Sequence, residues 1–323
     1  MSQPESSAWA TPPPEPKPER FRSTTARYFH ATRPPFLLAS LIPCGIGLAT
    51  AAYSMVAIQL SSALLSVIGA LLAHAGVNLL NDYYDHLNGT DAQNQQRIFP
   101  FTGGSRFIQN GVISAAKLQR FGWLLLLLSA LIGLLLLPAA GPLLLLLGGV
   151  GLLIGWGYSA PPLALNSHGL GELAVGIGCG SLITVGCDMV QRGGFDPLPL
   201  LIALPYALLV SALLYINQFP DRIADAAAGK RHWVVRLGPQ RARWGYLLLV
   251  MMAYLLLLLL AWQLAEPWLL LALPAALPSL LAARQLLRDA EQPQRLAPAI
   301  QFTILAMLLQ GGGISAGLLL AIP

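Results

Sequence analysis

Residues 78–91 read NLLNDYYDHLNGTD and follow directly on the apolar run SALLSVIGALLAHAGV. Asp82, Asp85 and Asp91 therefore stand at the end of a membrane-length segment, where a carboxylate is costly unless a cation meets it. A second polar stretch, YINQFPDRIADAAAGKR at 215–231, closes another apolar segment in the same manner. On a helix, Asn78 and Asp82 share a face, as do Asn81 and Asp85, and so do Asn217, Asp221 and Asp225. The last alignment holds only if the helix continues through Pro220, a residue that kinks or breaks helices. Magnesium binds hard oxygen ligands, typically one or two carboxylates completed by phosphates and water. Two Asp clusters on one side of a membrane could thus hold Mg²⁺ ions that clamp a diphosphate and neutralise it as its C–O bond breaks. Lys230, Arg231 and Arg106, the last in TGGSRF, would add charge-assisted bonds to phosphate oxygens. The amides Asn78, Asn81 and Asn217 would contact the same substrate, and the apolar segments would house a lipid tail. A solvated helix end would account for one such cluster, but poorly for two on the same side.

The elements that must position these residues are membrane spans. The 323-residue chain is 55% hydrophobic and 10% charged, against roughly 25% charged in soluble domains. Its mean hydropathy is +0.63. About nine apolar segments of bilayer length are legible. They lie near 36–56, 59–80, 121–137, 142–157, 169–187, 198–217, 244–264, 268–283 and 299–321. The fold expected is all-α, a polytopic integral membrane protein in the lipid bilayer. The Pro-rich start, with TPPPEPKPER, lacks the apolar content to fold, so residues 1–27 are expected to be a disordered cytosolic tail before the domain at 28–323. The first apolar segment is long enough to remain as a span and does not read as a signal peptide.

The net charge of +5 would fit a nucleic-acid partner, but its distribution reports topology instead. With nine spans and a cytoplasmic N-terminus, 18 of the 19 Lys and Arg fall on inside segments, and Arg192 alone lies outside. Both acidic motifs then emerge on the cytoplasmic side of the inner membrane. Asp188 and Asp196 fall on the outer side, away from them. Cys44, Cys179 and Cys187 lack CxxC spacing or a paired His and read as small hydrophobes. His74 reads as a hydrogen-bonded helix histidine, and Glu172 as a capping or pairing residue.

At these residues the sequence resembles the UbiA superfamily of membrane-embedded aromatic prenyltransferases. The family's Asn-Asp-x-x-Asp motif is matched by Asn81, Asp82 and Asp85, and its Asp-x-x-x-Asp motif by Asp221 and Asp225. YSAPPLALNSHGLGEL at 158–173 looks like its Tyr-x-x-Pro-Pro and Gly-Leu-Gly-Glu segments. The resemblance implies a nine-helix bundle with a central cavity under a cytosolic cap. It implies Mg²⁺ held by Asp82, Asp85, Asp91, Asp221 and Asp225, a polyprenyl diphosphate donor and an aromatic acceptor. Tyr158 would then sit beside an allylic cation, since an aromatic face attracts positive charge. Gly89, Asp91 and GCDMVQRGGF at 186–195 look most like the 1,4-dihydroxy-2-naphthoate polyprenyltransferases of menaquinone synthesis. Two departures bear on that acceptor: NQFPD stands where many of those enzymes have Asn-Asn-x-Arg-Asp, and Asn166 or His168 stands where they have a basic residue. Other acceptors would be 4-hydroxybenzoate, homogentisate or a tetrapyrrole.

An ion-coupled transporter would place its charges near the bilayer midplane, whereas these acids sit at helix ends. A CDP-alcohol phosphotransferase would carry an Asp-Gly-x-x-Ala-Arg run, which the sequence lacks. The orientation is testable in a background without native cysteines. An impermeant thiol reagent should label Gly194→Cys, beside Arg192, from outside intact cells, and reach Lys117→Cys only after lysis. The reverse pattern would invert the topology.

Overall fold

The computed structural model describes residues 14–322. Among these residues there is no β-strand, and eight helices are long and apolar enough to cross a membrane. In chain order with a shorter ninth they are α1 (Pro34–Tyr53), α2 (Leu60–Leu87), α3 (Ala115–Leu135), α4 (Leu143–Gly157) and α5 (Gly171–Arg192), then α6 (Leu198–Ala227), α7 (Pro239–Gln263), α8 (Pro267–Asp289) and α9 (Ala297–Leu320). The protein is a multi-pass membrane protein. The nine elements match the expected segments, with α4 only 15 residues long.

The ends of α2 and α6 differ from the hydropathy reading, because both helices run on into the polar motifs. At 1.5 Å per residue their 28 and 30 residues span about 42 and 45 Å, against about 30 Å of hydrocarbon. The surplus turns carry the acids beyond the apolar layer. Pro220 lies inside α6 without ending it, so Asn217, Asp221 and Asp225 share one helical face.

Residues 1–13 of the expected tail lie outside the described residues. Residues 14–27 depart from that expectation. They contain a 3₁₀ turn at Pro18–Arg20 and the start of a helix at Thr24–Ala31, capped by the Ser23 hydroxyl at 3.1 Å from the Ala26 N–H. Glu15 pairs with Arg97 at 2.6 Å, and Phe21 stacks on Phe107 with centroids 5.3 Å apart. Composition could not register these few specific partners.

Packing divides the bundle unevenly. The main core joins α1 and α6–α9 around Tyr206, Tyr246, Ile216 and Leu257. Its buried tyrosines are satisfied: Tyr206 donates to the Ala39 carbonyl at 3.0 Å, and Tyr246 pairs with Thr303 at 2.7 Å. Helices approach one another at glycine, as expected where lipid supplies no hydrophobic drive between them. A Cβ on Gly180 of α5 would lie 2.5 Å from the Ala207 Cβ of α6. In α4 a Cβ on Gly155 would likewise lie 2.7 Å from Val77 of α2, but one on Gly148 or Gly149 would meet nothing within 4 Å, and Gly148 and Gly149 both line the cavity.

Gly180→Val should therefore cost about 1–3 kcal/mol by overpacking and lower the thermal midpoint in detergent. Gly312→Ala, exposed in mid-helix with open space beside it, should hold the midpoint or raise it, since alanine favours the helix over glycine. Equal midpoints for the two variants would contradict the α5–α6 contact.

Candidate functional site

The ends of α2 and α6 both line a cavity of about 630 Å³. Asn78, Asn81 and Asp85 line it from α2, and Asn217, Asp221 and Asp225 from α6. Between them stands Lys230, buried, with its ammonium 2.8 Å from Asp85 Oδ1 and 3.1 Å from Asp225 Oδ1. One cation thus ties the first motif to the second. Burial alone would depress the Lys230 ammonium, but the Asp85 and Asp225 carboxylates prevail and raise it above the ordinary lysine value. The second oxygen of Asp225 lies 3.1 Å from His232 Nε2. Asn81 donates to Asp85 Oδ2 at 3.1 Å and to Ser159 Oγ at 2.9 Å.

The connection 88–114 supplies the remaining donors. Asn94 donates to Asp221 Oδ1 at 2.6 Å, and the Gly103 N–H to Asp221 Oδ2 at 3.2 Å. The Ser105 N–H donates to Asp82 Oδ1 at 3.1 Å, whereas Asp82 Oδ2 is buried without a partner. Gly103 and Gly104 have φ of 77° and 72°, the left-handed region that favours glycine. That conformation aims their neighbours' amides at the acids. Asp91 is buried in the short helix Thr90–Gln93, with Gln109 Nε2 at 3.2 Å from Oδ2. Burial, with Asp85 and Asp82 nearby, pushes its carboxyl well above the usual range.

Of the residues expected from sequence, Asp91, Tyr158 and Lys230 also line the cavity. Asp82 does not, and faces the connection instead. Two expected phosphate contacts are misplaced. Arg106 is buried behind Asp91, donating to its backbone carbonyl. Arg231 is exposed, and its backbone N–H meets the Ser167 carbonyl at 2.7 Å. Lys230 faces the cavity but is engaged by two carboxylates. Sequence reading missed Asn94, Gly103, Ser105 and His232 as partners of the acids, and Ser159 as a partner of Asn81. The one local signal for them was the Gly-Gly pair in a polar connection. His74 pairs with Ser40 Oγ at 2.8 Å, and Glu172 accepts from Gln218 at 2.9 Å, as their sequence readings expected. Asp188 pairs with Arg192 at 2.7 and 2.8 Å at the opposite end of the bundle.

The cavity continues inward among Ala73, Gly148, Leu152, Gly178, Leu182 and Gly186. A charged mouth on an apolar recess suits a molecule with an anionic head and a hydrocarbon body. Residues 40–311 match the UbiA prenyltransferase family. The chain is a member of that family. It is 31% identical over 295 residues to the 1,4-dihydroxy-2-naphthoate octaprenyltransferase of Mycobacterium tuberculosis, covering 91% of this chain and 97% of that one. It is 32% identical over 254 residues to the Escherichia coli protein of the same name, covering 76% and 80%. A UbiA homolog from Archaeoglobus fulgidus bound to DMAPP and Mg2+ shares the fold, with a TM-score of 0.58 and 17% identity over 90% of this chain and 99% of that one.

As a UbiA prenyltransferase, the protein is an enzyme whose polar cavity mouth is rich in hard oxygen donors. Among the described residues, no three His, Cys, Asp or Glu side chains converge into a ready-made metal cage. Five buried or half-buried carboxylates nevertheless gather near the buried Lys230 and Arg106 and the half-buried Arg33 and Arg97. Their hard oxygen atoms, with the unpartnered Asp82 oxygen, fit divalent cations that substrate oxygens would help to ligate. A Cβ on Gly104 would lie 2.6 Å from Asp91 Oδ2. Gly104→Ala should therefore displace Asp91 and cut prenyl transfer by about tenfold or more, in the range lost with outer-shell partners, while the protein still inserts and purifies. Wild-type turnover in this variant would show that the Asp91 position is immaterial.

Proposed function

We propose that the protein transfers a polyprenyl group from a polyprenyl diphosphate to 1,4-dihydroxy-2-naphthoate, a step of menaquinone biosynthesis, at the cytoplasmic face of the inner membrane. The observation that carries the reading is the pairing of Asp85 and Asp225 through one buried cation at the mouth of an apolar cavity. Asp82, Asp85, Asp91, Asp221 and Asp225 would hold Mg²⁺, which when bound neutralises the diphosphate as its C–O bond breaks. Lys230 supplies an ammonium that can turn from the carboxylates to a phosphate oxygen. The unpartnered Asn217 Oδ1 offers a hydrogen-bond acceptor in the lining. Tyr158 presents a ring to the allylic carbon as positive charge develops there, and the apolar recess shields that carbon from water.

The acceptor is supported by the Gly89–Asp91 spacing, the VQRG stretch and the names of the Mycobacterium tuberculosis and Escherichia coli relatives. The chemistry is compatible with it. An electron-rich hydroxylated ring attacks an allylic cation readily, and attack at the carboxyl-bearing carbon restores aromaticity by loss of CO₂. The test is prenyl transfer by purified protein from one labelled polyprenyl diphosphate to a panel of acceptors. The naphthoate should react at least about tenfold faster than 4-hydroxybenzoate, releasing CO₂ in step. EDTA should abolish transfer and added Mg²⁺ restore it. Faster reaction of 4-hydroxybenzoate, or reaction only with homogentisate or a tetrapyrrole, would reassign the acceptor. Full turnover in excess EDTA would remove the metal from the mechanism.

A further inference from the structure

The connection that aligns the acids is itself gripped from outside by residues 14–21. Both oxygens of Glu15 are engaged there. Arg97 Nε and Nη2 lie 2.7 and 2.6 Å from Oε1, Asn110 Nδ2 lies 3.1 Å from Oε2, and Arg106 Nε lies 3.9 Å from Oε2. Asn110 also donates to the Pro16 carbonyl at 2.9 Å. Phe21 seats the end of the segment against Phe107 and His30.

Arg97, hydrogen-bonded to Glu15, and Arg106, at ion-pair distance from it, each have their other end on the site. Arg97 Nη1 donates to the Asn94 carbonyl at 2.5 Å, and Asn94 in turn donates to Asp221. The Arg97 stem lies over Gly103, where an added Cβ would meet it at 2.6 Å, and the Gly103 N–H is the second donor to Asp221. Arg106 reaches the Asp91 carbonyl. Its Nε is buried with no hydrogen-bond partner among the described residues. Burial and the neighbouring Arg97 charge both disfavour the Arg106 cation, and Glu15 is among the acids that counter them.

An isolated surface ion pair contributes little, and the Glu15 and Arg97 side chains are 27% and 25% exposed. Here, however, one carboxylate engages two arginines and an amide on a connection that must hold a defined shape. We propose that residues 14–21 form a strap that fixes Asn94 and Asp91, and through Asn94 also Asp221, with Glu15 as its positioning residue. The proposal rests on the reading of Asp91 and Asp221 as metal-binding residues.

The test compares full-length wild type, Glu15→Gln, Glu15→Asp and Glu19→Gln, the last an exposed carboxylate on the neighbouring turn. Amide hydrogen exchange, measured in detergent without metal or substrate, should accelerate about tenfold across residues 91–106 in Glu15→Gln. Exchange in α7–α9 and the thermal midpoint should stay as in wild type. The half-saturating Mg²⁺ concentration should rise about three- to tenfold, less than the 10–100-fold typical of direct partners of metal ligands, with kcat at saturating Mg²⁺ retained. Glu15→Asp, which keeps the carboxylate, should recover most of both effects, and Glu19→Gln should match wild type. Wild-type exchange and Mg²⁺ dependence in Glu15→Gln would overturn the strap, as would a uniform rise in exchange with a lowered midpoint. Asp221→Asn separates the two ideas: wild-type turnover there would defeat the metal reading, while the exchange result still judges the strap.

Discussion

A carboxylate at the end of an apolar helix survives burial only where donors and cations replace the water it loses. This protein asks that of five aspartates at once. Asp82, Asp85 and Asp91 lie on or just after α2, and Asp221 and Asp225 lie on α6. Between them they draw in backbone N–H groups of the connection, the shared Lys230, His232 and the amides of Asn81, Asn94 and Gln109. The left-handed glycines, the bridging of α2 to α6 through Lys230 and the burial of that lysine all serve to satisfy these charges together. An unmatched member would cost more than the pairs contribute, so the group is satisfied largely as a unit.

Much of this was legible in the sequence because it depends on local periodicity. The spans follow from runs of apolar residues, and the faces of Asn78–Asp85 and Asn217–Asp225 follow from four-residue spacing. What was not legible depends on contacts between distant segments. Arg106 and Arg231 read alike in sequence, as basic residues near an acidic motif. Only the left-handed turn at 103–106 directs Arg106 behind Asp91, and only the turn after Lys230 directs Arg231 outward. Residues 14–27 depart from the expected tail for the same reason. A Pro-rich, charged segment carries too little apolar surface to fold alone, yet one glutamate and one phenylalanine find specific partners among residues 97–110.

The division into a filled and a hollow half also has a physical logic. Helices α1 and α6–α9 interlock around large buried side chains, which fixes α6 and its acids. Helices α2–α5 instead line the cavity with glycines and alanines set among leucines and isoleucines, leaving room beside the same acids. Rigidity and space are thus supplied by different helices, with α6 belonging to both.

Lys230 gives the resting site a counterion of its own. On the proposed assignment of Asp85 and Asp225 to divalent cations, binding would be an exchange, the ammonium relinquishing the two carboxylates as the ions take them. Measured affinity would then report the difference between two occupied states, not the attraction of an open cluster for metal. The released ammonium would be free for an anionic head group, so that the two ligands would assist each other's entry.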